Sequence, residues 1–262
     1  MQQAIRALGW ATKIFWIILI VLVVTIAYSA SLINIALGEP QTITTEQTVT
    51  ISFPITICNN GFYDVVDLNV TTFITDQNNR TLAKGTTVTR LIPRGAEETH
   101  THRITINITQ VLAENTVLLF NDTMLTMFQQ VSLNYARVVL FMVQANQTLS
   151  WGAPLSNFAL EHVAFRPYNL THSYADVQFS FENHNQFLPV TGVVRVEILN
   201  AHQTLLGQGT ADVDAPSNTF FNGELSILVN NSISATPEPS GEVRFYFETP
   251  LFNYGPLVMV YG

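Results

Sequence analysis

The 262-residue chain contains one cysteine, Cys58, and a single lysine, Lys84, beyond its first 13 residues. A lone thiol excludes a disulfide framework, so packing and hydrogen bonds must hold the fold. Basic groups are few: 11 Lys and Arg stand against 19 Asp and Glu, a formal charge of −8. That balance is too acidic to neutralise a phosphate backbone and excludes nucleic acid as a partner. There is no Gly-rich phosphate loop after a strand, no Gly-x-Ser-x-Gly elbow and no motif pairing Cys58 with a histidine. The usual signatures of nucleotide binding and of Ser or Cys nucleophiles are therefore missing. An apolar content of 47% excludes a disordered chain.

Charge is also absent locally. Ile14 to Gly38 is an uncharged run, almost wholly aliphatic or aromatic from Phe15 to Ala27. It supplies the roughly 20 residues that cross about 30 Å of hydrocarbon. Residues 14–37 are read as one transmembrane helix, 1–13 as a cytoplasmic N-terminus and 38–47 as a linker. Arg6 and Lys13 precede the run, and Glu39 and Glu46 follow it. The Lys/Arg excess marks the cytoplasmic flank and places the bulk of the chain outside the cell. A cleaved signal peptide, with Ser29, Ala30 and Ser31 as a poor cleavage site, leads to the same side.

Beyond Glu39 the apolar period is two. Val49, Ile51, Phe53, Ile55 and Ile57 alternate with polar residues, as do Val177, Phe179 and Phe181, Val194, Val196 and Ile198, and Leu225, Ile227 and Val229. Pro54 lies on the polar phase and predicts an edge strand. Short strands between Asn, Gly and Pro turns predict an all-β ectodomain of two tandem Ig/fibronectin-III-like β-sandwiches, over 48–165 and 166–262.

The chain also repeats. At an offset of 124, Asn59 meets Asn183, Val70 meets Val194, Ile74 meets Ile198, Asp76 meets Asn200 and Gly85 meets Gly209. Aligning Tyr135–Phe141 with Gly241–Phe247, at an offset of 106, and Gly152 with Gly255, at 103, predicts an insertion of about 21 residues in the first copy. On a helical wheel Val117, Phe120, Met124, Phe128 and Val131 share a face, so 113–133 is expected to be helical, with Asn121 and Asp122 as caps of a second helix. Such a helix either closes one end of the first sandwich or forms an apolar lid over a lipid or a partner.

An anchor followed by these domains resembles the group-2 late-embryogenesis-abundant fold, the water-stress and hypersensitive-response domain. The residues behind the resemblance are Ile57, Asn59, Asn60, Tyr63, Val65, Leu68, Val70, Ile74, Asp76, Leu82, Ala83, Gly85, Ile92, Pro93 and Gly95, and more loosely Phe181, Asn183, Asn185, Val194, Val196, Ile198, Leu205 and Gly209. The resemblance implies two seven-stranded sandwiches of fibronectin-like topology, a shape found in membrane-tethered proteins of plants and archaea. It implies no common chemistry.

Asn-X-Ser/Thr acceptors at Asn69, Asn79, Asn107, Asn146, Asn169 and Asn230 all follow the anchor and mark glycosylation candidates. Asn121 is a seventh, set apart by its place on the helical face. His100 and His102 share a strand face without a third ligand, and Asp212 and Asp214 lack the oxygen-rich loop that calcium needs. Cys58 reads as a small hydrophobe, and Glu97, Glu98 and Glu238 as solvated carboxylates. No catalytic, cofactor or metal site is assigned. The expected function is non-enzymatic display of two sandwiches for protein contact or support in a cell-envelope assembly. The alternative is lipid handling by a sandwich interior with a helical lid. The expected partners are the bilayer, through 14–37, and envelope proteins.

Overall fold

The computed structural model describes residues 2–45, 47–230 and 240–262, with side chains of the first helix from Gly9 onward. Glu46 and Glu238 lie outside the described residues. Helix α1 (Gln2–Ala30) leads into strands β1 (Ile33–Leu37), β2 (Gln41–Thr44), β3 (Thr48–Asn59), β4 (Val65–Thr75), β5 (Thr81–Ile92) and β6 (Glu97–Asn107). Two short helices, α2 (Ile108–Glu114) and α3 (Val117–Phe120), precede the hairpin of β7 (Thr123–Tyr135) and β8 (Val139–Trp151). The remainder is β9 (Ser156–Pro167), β10 (His172–Asn183), β11 (Val190–Asn200), β12 (Leu205–Ala215), β13 (Thr219–Asn230), β14 (Gly241–Glu248) and β15 (Asn253–Tyr261).

Among the described residues four antiparallel sheets form two face-to-face pairs. In the first, β3 is flanked by β6 on one side and by β1 and β2 on the other, opposite the sheet β5-β4-β7-β8. In the second, β13-β10-β9 faces β12-β11-β14-β15. Inward positions follow the predicted alternation: Ile55, Ile57, Ile74, Ile92 and Ile104 are fully buried in one core, and Phe179, Phe181, Phe245 and Phe247 in the other. Phe158 sits among the second group, 6.0 Å from Phe179 and 5.0 Å from Phe245 by ring centroids. Its contacts join the two sheets with aromatic surface, the largest apolar area per residue.

The repeat is a repeat of geometry. Val70 pairs with Thr87 and Val194 with Ala211; Ile74 pairs with Ala83 and Ile198 with Gly207. Each pair keeps the 124-residue offset. Asp76 Oδ1 accepts the amides of Asn78 and Arg80, and Asn200 Oδ1 accepts those of His202 and Thr204. Buried Asn59 donates through Nδ2 to the carbonyls of Tyr63 and Ile92, and buried Asn183 to those of Leu188 and Ala215.

Several expectations are corrected. Helix α1 ends at Ala30, so 31–37 is not part of it: Ile33, Ile35 and Leu37 recur at a strand period, and β1 pairs Ile35 with Ile57. The segment 38–47 is not a bare linker, because Gln41–Thr44 is β2, paired with β3. Strand β9 pairs with β10, so the junction between the sheet pairs falls at Gly152–Leu155, not at 165. Pro54 is not on an edge strand, since β3 is central. Its carbonyl accepts the Gly38 amide at 2.8 Å, so its missing N–H faces the gap where β1 stops and β2 begins. A Cβ on Gly38 would lie 2.4 Å from Pro54 Cγ.

The helix over 113–133 is also corrected. Only Ile108–Glu114 and Val117–Phe120 are helical, and Met124, Phe128 and Val131 belong to β7. Leu125, Met127, Leu133 and Tyr135 point inward from that strand, a period of two interrupted mid-strand, which the helical wheel absorbed. Asn121 and Asp122 follow α3 and cap no second helix. The alignment of Tyr135–Phe141 with Gly241–Phe247 fails with it, because the counterpart of β14 is β7: Val70 pairs with Val131 and Val194 with Phe247, an offset of 116.

Replacing Asn59 by Ala removes the donor to the Tyr63 and Ile92 carbonyls, and replacing Asn183 by Ala the donor to those of Leu188, Ala215 and Pro216, at about 1–3 kcal/mol for each buried group left unsatisfied. Each change is expected to lower the stability of its own sandwich while sparing the other. Denaturant unfolding in detergent, followed by hydrogen exchange of each half, reads this directly.

Candidate functional site

The residues that stand out structurally are those that join one unit to the next. At the first joint the buried Ser29, in the last turn of α1, accepts the Phe62 amide at 2.5 Å through Oγ and shares a hydrogen bond with the Tyr135 hydroxyl. That hydroxyl also accepts the Tyr63 amide at 3.3 Å. The rings of Tyr28 and Phe62 lie 6.1 Å apart beside this group. The loop after β3 is shaped for the contact by Asn59, whose Oδ1 accepts the Gly61 amide. Gly61 must be glycine, since a Cβ there would meet the Tyr135 hydroxyl and the Ser29 carbonyl.

The second joint uses the equivalent end of the second sandwich. Ala153, buried and 124 positions after Ser29, accepts the His184 amide at 3.0 Å, and the Gly152 carbonyl accepts Asn185 Nδ2 at 2.8 Å. The orphan carbonyls at the end of α3 are satisfied from the linker: Leu118 accepts Trp151 Nε1 and Leu119 accepts the Leu155 amide. Phe120 packs its ring 5.0 Å from that of Tyr254.

An ion triad crosses this joint. His184 donates from Nδ1 to Asp122 Oδ2 at 2.7 Å and from Nε2 to Glu182 Oε2 at 2.5 Å, while Asp122 Oδ1 accepts the Ala153 amide at 2.7 Å. Hydrogen bonds to Asp122 and then Glu182 raise the His184 pKa above its ordinary value. For Asp122, burial opposes the charged form, but the Ala153 amide and His184 together outweigh it and lower the pKa. With both ring nitrogens engaged by carboxylates, His184 acts as a tie and has no free lone pair for use as a base.

The sequence-predicted residues are dispersed. Val117 and Phe120 lie on α3, whereas Met124, Phe128 and Val131 lie along β7 with Phe128 facing Phe73, so they form no common lid face. Asn79, Asn107, Asn121, Asn146 and Asn169 are exposed, and Asn69 and Asn230 are half-buried. Asn107 caps α2 through Oδ1. His102 is fully buried between Thr87 Oγ1 (2.8 Å) and Thr72 Oγ1 (3.0 Å), bridging the two sheets, while His100 pairs with Glu98 at 3.0 Å. Burial lowers the His102 pKa. Burial first, and then Glu97, raise the pKa of the half-buried Cys58 thiol. Asp212 and Asp214 are both exposed on β12. Among the described residues no group of three or more His, Cys, Asp or Glu is placed to hold a metal ion. Sequence reasoning missed the Asp122–His184 contact; the signal was the 124-residue offset, which carries Ser29 onto Ala153 and Asn60 onto His184.

No family model matches the chain, and no curated protein does. Among solved structures, it is similar to a red sea bream transglutaminase at 14% identity over 87% of this chain and 31% of that one, with a TM-score of 0.31. The periplasmic chaperone SfaE is similar at 12% identity over 85% and 97% of the respective chains, TM-score 0.29. A glycosyl hydrolase family 2 member from Bacteroides cellulosilyticus is similar at 12% identity over 81% and 28%, TM-score 0.30.

The two histidines have opposite pH signatures. For His184 the folded pKa is raised, so its contribution is complete below the unfolded value near 6.5 and is lost as pH rises through the folded pKa. For His102 the folded pKa is lowered, so stability is complete above 6.5 and falls as pH drops toward the folded value. His102→Leu should therefore blunt acid sensitivity, and His184→Gln should blunt the loss at alkaline pH. Thermal unfolding from about pH 5 to about pH 9 distinguishes the two.

Proposed function

We propose that this is a non-enzymatic, membrane-anchored extracytoplasmic protein that holds two β-sandwiches in fixed series away from the bilayer, for protein contact or structural support in a cell envelope. One observation carries the reading: the apolar helix passes into β1 after only Ser31 and Leu32, and its last turn is hydrogen-bonded into the first sandwich through Ser29. The helix contains a 22-residue stretch, Gly9–Ala30, long and apolar enough to cross a membrane, and most of it is exposed. Trp10 with Lys13 at one end and Tyr28 with Phe62 at the other suit two interfaces about 27 Å apart along the axis.

The finer fold reading is part of this proposal. A three-stranded sheet opposed by a four-stranded one, in the order β13-β10-β9 against β12-β11-β14-β15, supports a fibronectin-III-like sandwich. The roles of Asn59, Asp76, Asn183 and Asn200 support the likeness to group-2 late-embryogenesis-abundant domains. The exposed acceptors Asn79, Asn107, Asn146 and Asn169 suit an external, glycosylated surface.

A second reading rests on a separate feature. An apolar groove of about 340 Å³, lined by Leu37, Ile51, Phe53, Met127, Leu149 and Phe187, opens along the side of the first sandwich. Its size and lining suit part of an acyl chain. It would make the protein a lipid binder without the predicted helical lid.

Under the first reading the chain stays with membranes through alkaline carbonate extraction, and protease added to intact cells removes the sandwiches. A chain released by carbonate, or one protected from external protease, would count against it. Native mass spectrometry of the whole chain separates the second reading: retained lipid that disappears in Met127→Glu supports it.

A further inference from the structure

The two copies differ most where the first meets the anchor. Val131 and Phe247 are equivalent, and each is followed by one more residue paired with the central strand, Ser132 with Asn69 and Glu248 with Val193. The second copy then turns at once, closing β14 onto β15 with Glu248 opposite Asn253. The first copy continues through Leu133, Asn134 and Tyr135, turns at Ala136–Arg137 with both residues at positive φ, and returns from Val139 to Met142. This extension lies beside α1: Val139 and Phe141 line one apolar recess with Val23, Ile26, Ala27 and Ala30.

The exposed residues of the extension do not follow the rule for a solvated sheet. Val138 is 74% exposed, Leu140 61%, Met142 52% and Val143 65%, and Phe141 is also exposed. Side chains alternate between faces, so apolar residues at every position from 138 to 143 make both faces apolar. A long sheet edge in water is protected against strand pairing by charge, proline or a bulge, as Pro256 and the register shift at Phe245/Phe247 protect the uncharged β15, whereas 138–151 carries neither charge nor proline and pairs with β7 in unbroken register. Polarity instead changes along the strand. From Gln144 to Thr148 the residues are polar or small, and this is the half farther from α1.

We propose that the β7–β8 extension is immersed in the outer membrane–water interface, so that the first sandwich grips the bilayer with a hairpin as well as a helix. The proposal rests on the reading of α1 as a membrane span. Val23 to Ala30 covers the last ~10 Å of that span, a depth equal to the roughly 5–10 Å at which apolar side chains sit in the headgroup–acyl boundary. The exposed Arg137 lies at the turn on the anchor side of the extension, where its long side chain can snorkel back toward the lipid phosphates. Tyr28, Phe62 and Phe141 supply the amphipathic or aromatic rings typical of that layer. A second copy is a poorer occupant. Strand β8 leads from the anchor to the interdomain joint, so two chains in one bilayer would align these edges parallel, the less stable pairing.

The test uses the full chain in phosphatidylcholine vesicles. In a Cys58→Ser background, single substitutions Leu140→Cys, Met142→Cys, Thr148→Cys and Ile20→Cys carry an environment-sensitive fluorophore. The expected result is blue-shifted emission at 140 and 142, quenched by doxyl-labelled lipid and shielded from aqueous iodide, with the reverse at 148. Lipid quenching at 20 alone, with 140 and 142 open to iodide, overturns this proposal and leaves the anchor reading standing. Loss of lipid quenching at all four positions overturns both. A blue shift at 140 and 142 that is insensitive to lipid quencher and depends on protein density assigns the surface to a second copy and overturns the proposal.

Discussion

Burial of one hydroxyl, that of Ser29, sets the relation between the apolar helix and everything after it. A serine in the last turn of a helix ordinarily faces solvent or its own backbone. Here it accepts the Phe62 amide and meets the Tyr135 hydroxyl inside the end of a sandwich. A buried polar atom must keep its partners, so the helix end cannot rotate or withdraw without leaving an amide and a hydroxyl unsatisfied. Because β1 begins three residues after Ala30, the direction of the helix is transmitted to the first sheet without a flexible segment.

The same device appears a second time with different chemistry. The loop after β10, shaped by Asn183 as the loop after β3 is shaped by Asn59, docks on Ala153 instead of Ser29. The linker thus takes the place of the helix end, and α2 and α3 become its support: they cap the top of the first sandwich and offer free helix-end carbonyls to the linker. Gly152 allows this close approach, since a Cβ there would strike the His184 carbonyl. Each sandwich is therefore positioned by whatever precedes it.

Electrostatics divide along the same lines. Within the first core, His102 serves as a hydrogen-bonding bridge between sheets, whereas the matching position in the second copy holds the apolar Leu225, which makes no such bond. At the joint, His184 is held between two carboxylates and belongs to neither core. Charge is absent along the apolar stretch of α1 from Ile14 onward and along the facing strand β8.

Much of this was legible in the sequence. The uncharged run, the period-two strands, the two copies and the offset of 124 were all determined by local pattern, because apolar spacing dictates which faces can be buried. Asn59, Asp76, Asn183 and Asn200 were visible as repeated positions, though not as loop-shaping hydrogen bonds. Three things were decided by tertiary structure. Thr123–Tyr135 satisfies a helical wheel and a strand alternation equally well, and only the open edge of β4 awaiting a partner settles it. Pro54 is tolerated in a central strand because its neighbour breaks opposite it, a fact of pairing and not of composition. The joint residues Ser29, Asp122 and His184 carry no motif: the 124-residue offset marks Ala153 and His184 as equivalent positions, but the contact of His184 with Asp122, 62 positions away, depends on how two folded ends meet.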